Sequence, residues 1–263
     1  MSGRRANDLS GKEWARYSIS VWSDISKTGD ERRLKHPALF PKMLVERLIN
    51  CFTTQDELIV LDPFMGSGTT LVAAKNLGKN GIGFDISSDY VELARRRLAQ
   101  ANLFAEHEFT IYHQDAKTVP EVLEQNSVDL CITSPPYWDI LMQKRTADRK
   151  EIRNYGNTEG DLGQISGYGH FLDSLSSVFK GVFHVLKPSK YCIVNVMDLR
   201  KGDQFYPLHS DLAACMQSLG FIFDDLIIWD RRQEYHNLRT LGYPSVFRVN
   251  RIHEFLLIFK KPG

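Results

Sequence analysis

Cysteine is scarce in this 263-residue sequence: there are four, Cys51, Cys131, Cys192 and Cys215, widely spaced and with no CxxC pair. That pattern argues against a disulfide scaffold and against a zinc centre. Three of them stand between apolar neighbours and read as small core residues in a reducing compartment. Long apolar runs are missing too. None approaches the ~18 residues of a membrane span, and the opening MSGRRANDLSGKEW lacks the apolar stretch of a signal peptide, so the expectation is a cytoplasmic protein with no membrane partner. An excess of one charge is also absent, since 33 Lys and Arg face 32 Asp and Glu for a net charge of +1. Nucleic-acid binders neutralise phosphates with basic surface; any such surface here must be local, and bulk charge neither supports nor excludes DNA. Repeats and low-complexity tracts are lacking as well.

What is present is an ordinary globular composition, 43% hydrophobic and 25% charged, in a chain long enough to bury a full core without staples. Short apolar runs alternate with amphipathic stretches of helical length, the sign of a mostly parallel sheet covered on both faces. The expected strands are 58–61, 81–86, 109–112, 128–133, 191–197, 223–229 and 254–259. The expected helices are 42–52, 69–77, 88–102, 171–186 and 208–219. Seven strands in this alternation make one doubly wound α/β domain over 1–263. Two long polar stretches break the rhythm, 139–170 and 231–250, and loops of that length are usually functional or disordered.

Three motifs carry the chemistry. Asp62-Pro-Phe-Met-Gly66-Ser-Gly68-Thr69-Thr70 follows a strand and opens a helix, at the strand end where open α/β sheets bind ligands. Gly66 and Gly68 allow a tight turn and close backbone approach, and Asp62 offers a carboxylate to an ammonium or hydroxyl; a plain strand–helix turn is the bland alternative. Asp85, in Gly83-Phe84-Asp85-Ile86, lies at the next strand end, about 20 residues beyond the glycine loop, the placement for ribose hydroxyls. Thr133-Ser134-Pro135-Pro136-Tyr137-Trp138 leaves a third strand with two φ angles fixed and two donors removed, aiming rigid carbonyls outward, with an aromatic pair that could stack on a flat ligand or simply pack.

Together DPFMGSGTT, GFDI and TSPPYW resemble the amino-methyltransferases of DNA, which modify cytosine N4 or adenine N6. The upstream KHPALFP resembles that family's cofactor-binding segment, here within 30–52, and the likeness runs from about His36 to Lys260. The resemblance implies a seven-stranded, Rossmann-like class I methyltransferase sheet with an antiparallel last strand, and S-adenosylmethionine as cofactor with no metal. It implies a cofactor lying over Phe64, Gly66, Gly68 and Thr69, with Asp62 near its methionine end, Asp85 at its ribose and Asp115 near its adenine, enclosed by His36 and Phe40. Double-stranded DNA would be the partner, its target base flipped out because the amino group cannot reach a buried cofactor from within the stack.

An aromatic amine is a poor nucleophile, its lone pair being delocalised into the ring. On this resemblance Ser134 and the Pro135 carbonyl would accept hydrogen bonds from the amine, Pro136 would stiffen the turn, and Tyr137 would stack on the base, so that positioning and polar contacts supply the rate. Serine at the head of the tetrad resembles the N4-cytosine branch, which is favoured over N6-adenine. The chain departs from many such enzymes in placing the cofactor motif before the tetrad and in showing no separate recognition domain of ~80 residues or more. Recognition would then fall to the two long loops. Lys144, Arg145, Arg149, Lys150 and Arg153 lie in the first; Arg231, Arg232, Arg239 and Arg248, with Tyr235 and His236, lie in the second, and Trp138 borders the site. A paired restriction endonuclease or a separate recognition subunit is a further expected partner. The competing readings are an RNA base methyltransferase and an inactive cofactor-binding subunit. A dinucleotide oxidoreductase fits less well, since GSGTT is not GxGxxG.

Overall fold

The computed structural model describes residues 5–33, 41–100, 107–138, 162–235, 238 and 240–263. After α1 (Gly11–Tyr17), the strand pair of residues β1 (Val21–Trp22), α2 (Gly29–Arg33) and α3 (Lys42–Phe52), strands and helices alternate: β2 (Ile59–Asp62), α4 (Thr69–Asn76), β3 (Asn80–Asp85), α5 (Ser88–Gln100), β4 (Phe109–His113), α6 (Val119–Val122), β5 (Val128–Thr133), α7 (Tyr168–Val185) and β6 (Leu186–Val196). A small hairpin of β7 (Leu199–Lys201) and β8 (Gln204–Tyr206) precedes α8 (Leu208–Ser218), β9 (Ile222–Asp230) and β10 (His253–Lys260).

The main sheet has the order β1-β9-β10-β6-β5-β2-β3-β4. Its pairings are parallel except for β10, which runs antiparallel to both β6 and β9. The expected antiparallel last strand is therefore present, but the sheet holds eight strands instead of seven. The eighth is β1, whose two residues are too few to show any periodicity. The β4-β3-β2 side and the β5-β6 side of the sheet part between β2 and β5, so the crevice of a doubly wound sheet opens at the carboxyl ends of these two strands.

Alternation along the central strands divides the core. Val60, Leu130, Ile132 and Ile193 pack with α3 and α4 on one face, while Leu61, Cys131, Cys192 and Val194 pack with Phe171, Phe179 and Val182 of α7 on the other. Neighbouring residues in a strand point to opposite faces, so apolar runs with little alternation are what two covered faces require. Among the described residues no helix is long and apolar enough to cross a membrane.

Helix α7 runs into β6 without a spacer, and a side chain closes its last turn. The Lys261 ammonium donates to the carbonyls of Phe183 at 2.7 Å and Leu186 at 2.6 Å and to Asn126 Oδ1 at 2.8 Å. A cation at a helix carboxyl end satisfies orphan carbonyls and opposes the helix dipole. Lys261→Met should leave those acceptors unpaired and cost about 1–3 kcal/mol, measurable by denaturant unfolding; an unchanged midpoint would show that water replaces the ammonium.

Candidate active site

The glycine loop between β2 and α4 is shaped by its backbone. Gly66 and Gly68 take φ of 50° and 76°, the left-handed region that side chains rarely adopt. A Cβ on Gly68 would lie 2.7 Å from the Ala94 Cβ of α5, so the loop packs against that helix where only hydrogen fits. The Met65 amide donates to the Phe84 carbonyl at 2.9 Å. The Gly66 amide donates to Asp85 Oδ2, also at 2.9 Å, while Asp85 Oδ1 accepts from the Ser87 amide at 2.8 Å. Asp85 thus stands half-buried at the tip of β3, joining the loop to the strand end. Arg97 of α5 grips the loop from below, donating to the Ser67 carbonyl, Ser67 Oγ and Thr69 Oγ1 at 2.6, 3.0 and 3.1 Å. Sequence reading missed Arg97, because a lone arginine on an amphipathic helix carries no motif.

Asp62 has no exposed surface. Its Oδ1 accepts from the Phe64 amide at 3.1 Å and from Thr133 Oγ1 at 2.6 Å, and its Oδ2 accepts from Thr70 Oγ1 at 2.6 Å. One carboxylate therefore ties the glycine loop, the first turn of α4 and the end of β5 together. Burial outweighs those three donors and pushes its pKa up to about 6. Phe64 is half-buried, edge-on to Phe179 at 6.4 Å. Asp115 caps a short turn after β4, accepting from the Lys117 amide at 2.9 Å. His36 and Phe40 lie outside the described residues. On either side of them, the Glu31 carboxylate of α2 accepts from the Lys42 amide at the start of α3 at 2.6 Å.

The tetrad leaves β5 directly beyond Thr133. Ser134 and Pro136 are half-buried and Pro135 is buried. Tyr137 is 6% exposed, and its hydroxyl donates to Glu254 Oε2 at 3.1 Å. Burial and the Glu254 carboxylate raise the Tyr137 pKa well above the usual phenol range, keeping it neutral. Glu254, at the start of β10, also accepts from Asn195 Nδ2 and from the Arg231 guanidinium. The other Asn195 amide atom, Oδ1, is buried with no hydrogen-bond partner among the described residues. No motif announced Glu254 or Asn195; each is a polar residue inside an apolar strand, which is the one signal that could have found them.

Trp138 is buried, with φ of 45°. Its indole N–H donates to the Ile165 carbonyl at 2.8 Å, and its ring lies 5.1 Å from Tyr206 and 5.5 Å from Tyr168. Arg231 lies across the Trp229 ring and is paired with Glu234 at 2.7 Å as well as with Glu254. Arg232 is held by Asp230 through Nε at 2.8 Å and through a second nitrogen, on an otherwise exposed side chain. The structure thus brings Asp62, Phe64, Gly66, Gly68, Thr69 and Asp85 to one strand-end crevice with the tetrad, and places Asp115 at the end of β4. It turns Trp138 and Arg231 inward. Arg239, His236 and the cationic cluster from Lys144 to Arg153 lie outside the described residues.

This donor and acceptor set fits S-adenosylmethionine: a glycine cradle that a Cβ would fill, a half-buried carboxylate at the next strand end, and a buried amide oxygen behind the tetrad with no partner among the described residues. The fold is that of the S-adenosylmethionine-dependent methyltransferases. A solved SAM-dependent methyltransferase from Methanosarcina mazei shares it at a TM-score of 0.50 with 15% identity, over 79% of this chain and 94% of that one. TrmN from Thermus thermophilus shares it at 0.51, again with 15% identity, over 84% and 48%. The chain itself belongs to the DNA methylase family, whose profile matches residues 2–96 and 128–263; a general methyltransferase-domain profile matches 60–154. Among curated relatives, the type II methyltransferase M2.DpnII of Streptococcus pneumoniae is 36% identical over 110 residues, 37% of this chain and 41% of that protein. M.BglI of Bacillus subtilis is 34% identical over 137 residues, 47% and 38% of the two chains. The matches thus span less than half the length of these relatives.

A buried carboxylate with a raised pKa makes a testable demand. The folded chain holds a proton on Asp62 up to about pH 6, the unfolded chain only to about 3.9. Its contribution is most favourable below the unfolded value and is lost as pH rises through about 6. Asp62→Asn, which removes the titration, should gain on the wild type by about 2–3 kcal/mol between pH 4 and pH 8. Urea unfolding of both proteins at the two pH values measures this; a constant difference would mean that the carboxylate is not desolvated.

Proposed function

We propose that this chain is a site-specific, S-adenosylmethionine-dependent DNA methyltransferase, working as one catalytic domain over 1–263 on the exocyclic amino group of a flipped base, with cytosine N4 the favoured target. The observation that carries the reading is the Asp62 carboxylate, hydrogen-bonded at once to Thr70 where α4 leaves the glycine loop and to Thr133 just ahead of the tetrad. A cofactor loop and a base-binding tetrad held by one buried side chain present methyl donor and acceptor at a fixed separation, which is how positioning lowers a barrier. The curated type II methyltransferases that match part of the chain support DNA as the substrate.

S-adenosylmethionine bound in the cradle supplies an activated methyl group. The protein's own work is then to orient the reactants and to accept hydrogen bonds from the amino group. Asp85 orients the ribose; Phe64, Gly66, Gly68 and Thr69 line the cradle, with Asp115 toward the adenine and His36 and Phe40 enclosing it. Asp62 shapes the methionine end through the loop it holds. Ser134 Oγ and the Pro135 carbonyl accept hydrogen bonds from the amino group, localising its lone pair, while Pro136 keeps the turn rigid. Tyr137 offers a ring face to the base, its hydroxyl anchored on Glu254; since the ring is covered in this conformation, base entry requires that cover to move. Arg232, largely exposed, is the candidate phosphate contact together with Arg239, which lies outside the described residues, whereas Trp138 and Arg231 serve by supporting the tetrad. A cognate endonuclease or recognition subunit would act on the same DNA.

The test joins calorimetry with nucleoside mass spectrometry. S-adenosylmethionine should raise Tm, and Asp85→Ala should lose most of that rise. Ser134→Ala should keep the rise and lower the methyl-transfer rate on the order of 10–100-fold, about 1.4–2.7 kcal/mol. DNA exposed to the enzyme should contain N4-methylcytosine. N6-methyladenine would move the target to adenine, and stabilisation by NAD in place of S-adenosylmethionine would overturn the assignment.

A further inference from the structure

The hairpin β7–β8 was absent from the sequence reading, and it carries a cluster that the proposed reaction leaves unused. It continues from the carboxyl end of β6, turns at Gly202, and pairs Arg200 with Phe205 directly across the two strands. The segment before β10 folds against it. There Gly242, with φ of 78°, and a hydrogen bond from the Val246 amide to the Gly242 carbonyl at 2.8 Å close a turn. A Cβ on Gly242 would strike the Val246 carbonyl oxygen at 2.2 Å, so the turn is specified by that glycine. Arg248 then reaches Asp203 at the hairpin tip at 2.7 Å, joining turn and hairpin.

Two guanidiniums meet on one ring in this assembly. The Arg200 and Arg251 carbons lie 5.5 and 5.7 Å from the Phe205 centroid. Among the described residues, neither has a carboxylate within ion-pair distance; the side-chain hydrogen bond of Arg200 goes to the Asp203 carbonyl at 3.0 Å. Like charges held close repel each other, and burial together with Arg200 lowers the Arg251 pKa against the weaker opposing pull of the Asp198 carboxylate. An anion bridging them would remove that cost. Beside them, Tyr243 and Phe247 of the turn are 80% and 92% exposed, apolar surface that a soluble protein rarely displays in a group without a partner. The cluster also borders the site, because the Lys201 ammonium lies 4.4 Å from the Trp138 ring centroid at the end of the tetrad segment.

A partner that offers phosphates and aromatic faces within one short span is a nucleic acid. We propose that the β7–β8 hairpin and the 242–251 turn form a duplex-docking finger, in which Arg200 and Arg251 share a backbone phosphate and Phe247, with Tyr243 beside it, packs into the base stack next to the flipped nucleotide. The proposal rests on the DNA methyltransferase reading and adds the element that holds the duplex. Phosphate contact fixes register and carries no sequence information, whereas an inserted apolar side chain lowers the cost of extruding the base.

The experiment uses the full chain and a random-sequence duplex library, with binding followed by anisotropy across salt concentrations and methyl transfer followed with labelled S-adenosylmethionine. Arg200→Ala/Arg251→Ala should weaken binding on all sequences and flatten the salt dependence by about one unit of slope. Arg251→Gln alone serves if the double variant does not fold, as judged by its S-adenosylmethionine-induced Tm rise. Phe247→Ala should keep the salt slope and methylate the paired duplex about tenfold more slowly. It should recover on the same library after strand separation and reannealing, where mispaired bases flip readily. If the wild type methylates DNA and the variants match it in slope and in rate on paired duplex, the finger is wrong while the activity stands. Loss of a dimer in Phe247→Ala with DNA binding unchanged would assign the patch to a second copy of the chain and overturn the proposal. A wild type that neither binds nor methylates DNA would remove the activity and the finger together.

Discussion

Everything at the strand-end crevice depends on one buried charge. Asp62 has no contact with solvent, and an unpaired carboxylate in such a place costs several kcal/mol. It is retained because three donors converge on it, the Phe64 amide and the hydroxyls of Thr70 and Thr133. Those donors come from three segments that are far apart in the chain or on opposite sides of a turn. Satisfying one carboxylate therefore fixes where the loop bends, where α4 begins and how far β5 runs before the tetrad departs. Moving Thr70 would take away the donor to Oδ2, and moving Phe64 or Thr133 would halve the donors to Oδ1, so the spacing between the cradle and the tetrad is as stiff as the hydrogen bonds that set it.

The antiparallel strand answers a second question, how the tetrad is held from the far side. A strand running against its neighbours begins where they end. β10 is inserted between β6 and β9, so its first residues stand at the carboxyl edge of the sheet, beside the crevice. Glu254 is one of them, and from there it receives Tyr137, Asn195 and Arg231. Had β10 been parallel, that edge would carry its last residues and the position of Glu254 would be at the opposite rim. The reversed strand thus gives a parallel sheet a buried polar anchor where a loop alone would have to provide it.

The sequence disclosed the fold because its strands and helices have strong and different periods. The strand 128–133 and the helix 42–52 stand where the pattern put them, and most other boundaries differ by a few residues at frayed or capped ends. β1 and the β7–β8 hairpin did not show, since two or three residues cannot display alternation and their pairing partners are distant in the chain or set by a turn. The strand-end residues of the crevice were legible because glycine, proline and aspartate at strand ends have few structural uses. Arg97, Asn195 and Glu254 were not, because their importance comes from what tertiary packing sets against them.

The arginines show where residue counting and structure part. A polar stretch with many guanidiniums reads as a basic surface, and Arg231 and Arg232 were counted together on that basis. In the structure Arg231 is a half-buried member of the Glu254 network, and Arg232 is engaged by its neighbour Asp230. Arg200 and Arg251 look no different in sequence, yet they share a ring and have no carboxylate at ion-pair distance among the described residues. What separates a structural arginine from one able to take an external anion is therefore the local count of carboxylates, and that count is made by the fold. A net charge near zero is compatible with a polyanionic partner on the same grounds: in this crevice the acidic residues are consumed internally, Asp62 and Glu254 by the site's own donors and Asp230 by Arg232, while the two guanidiniums where the hairpin and the turn meet have no carboxylate at ion-pair distance among the described residues.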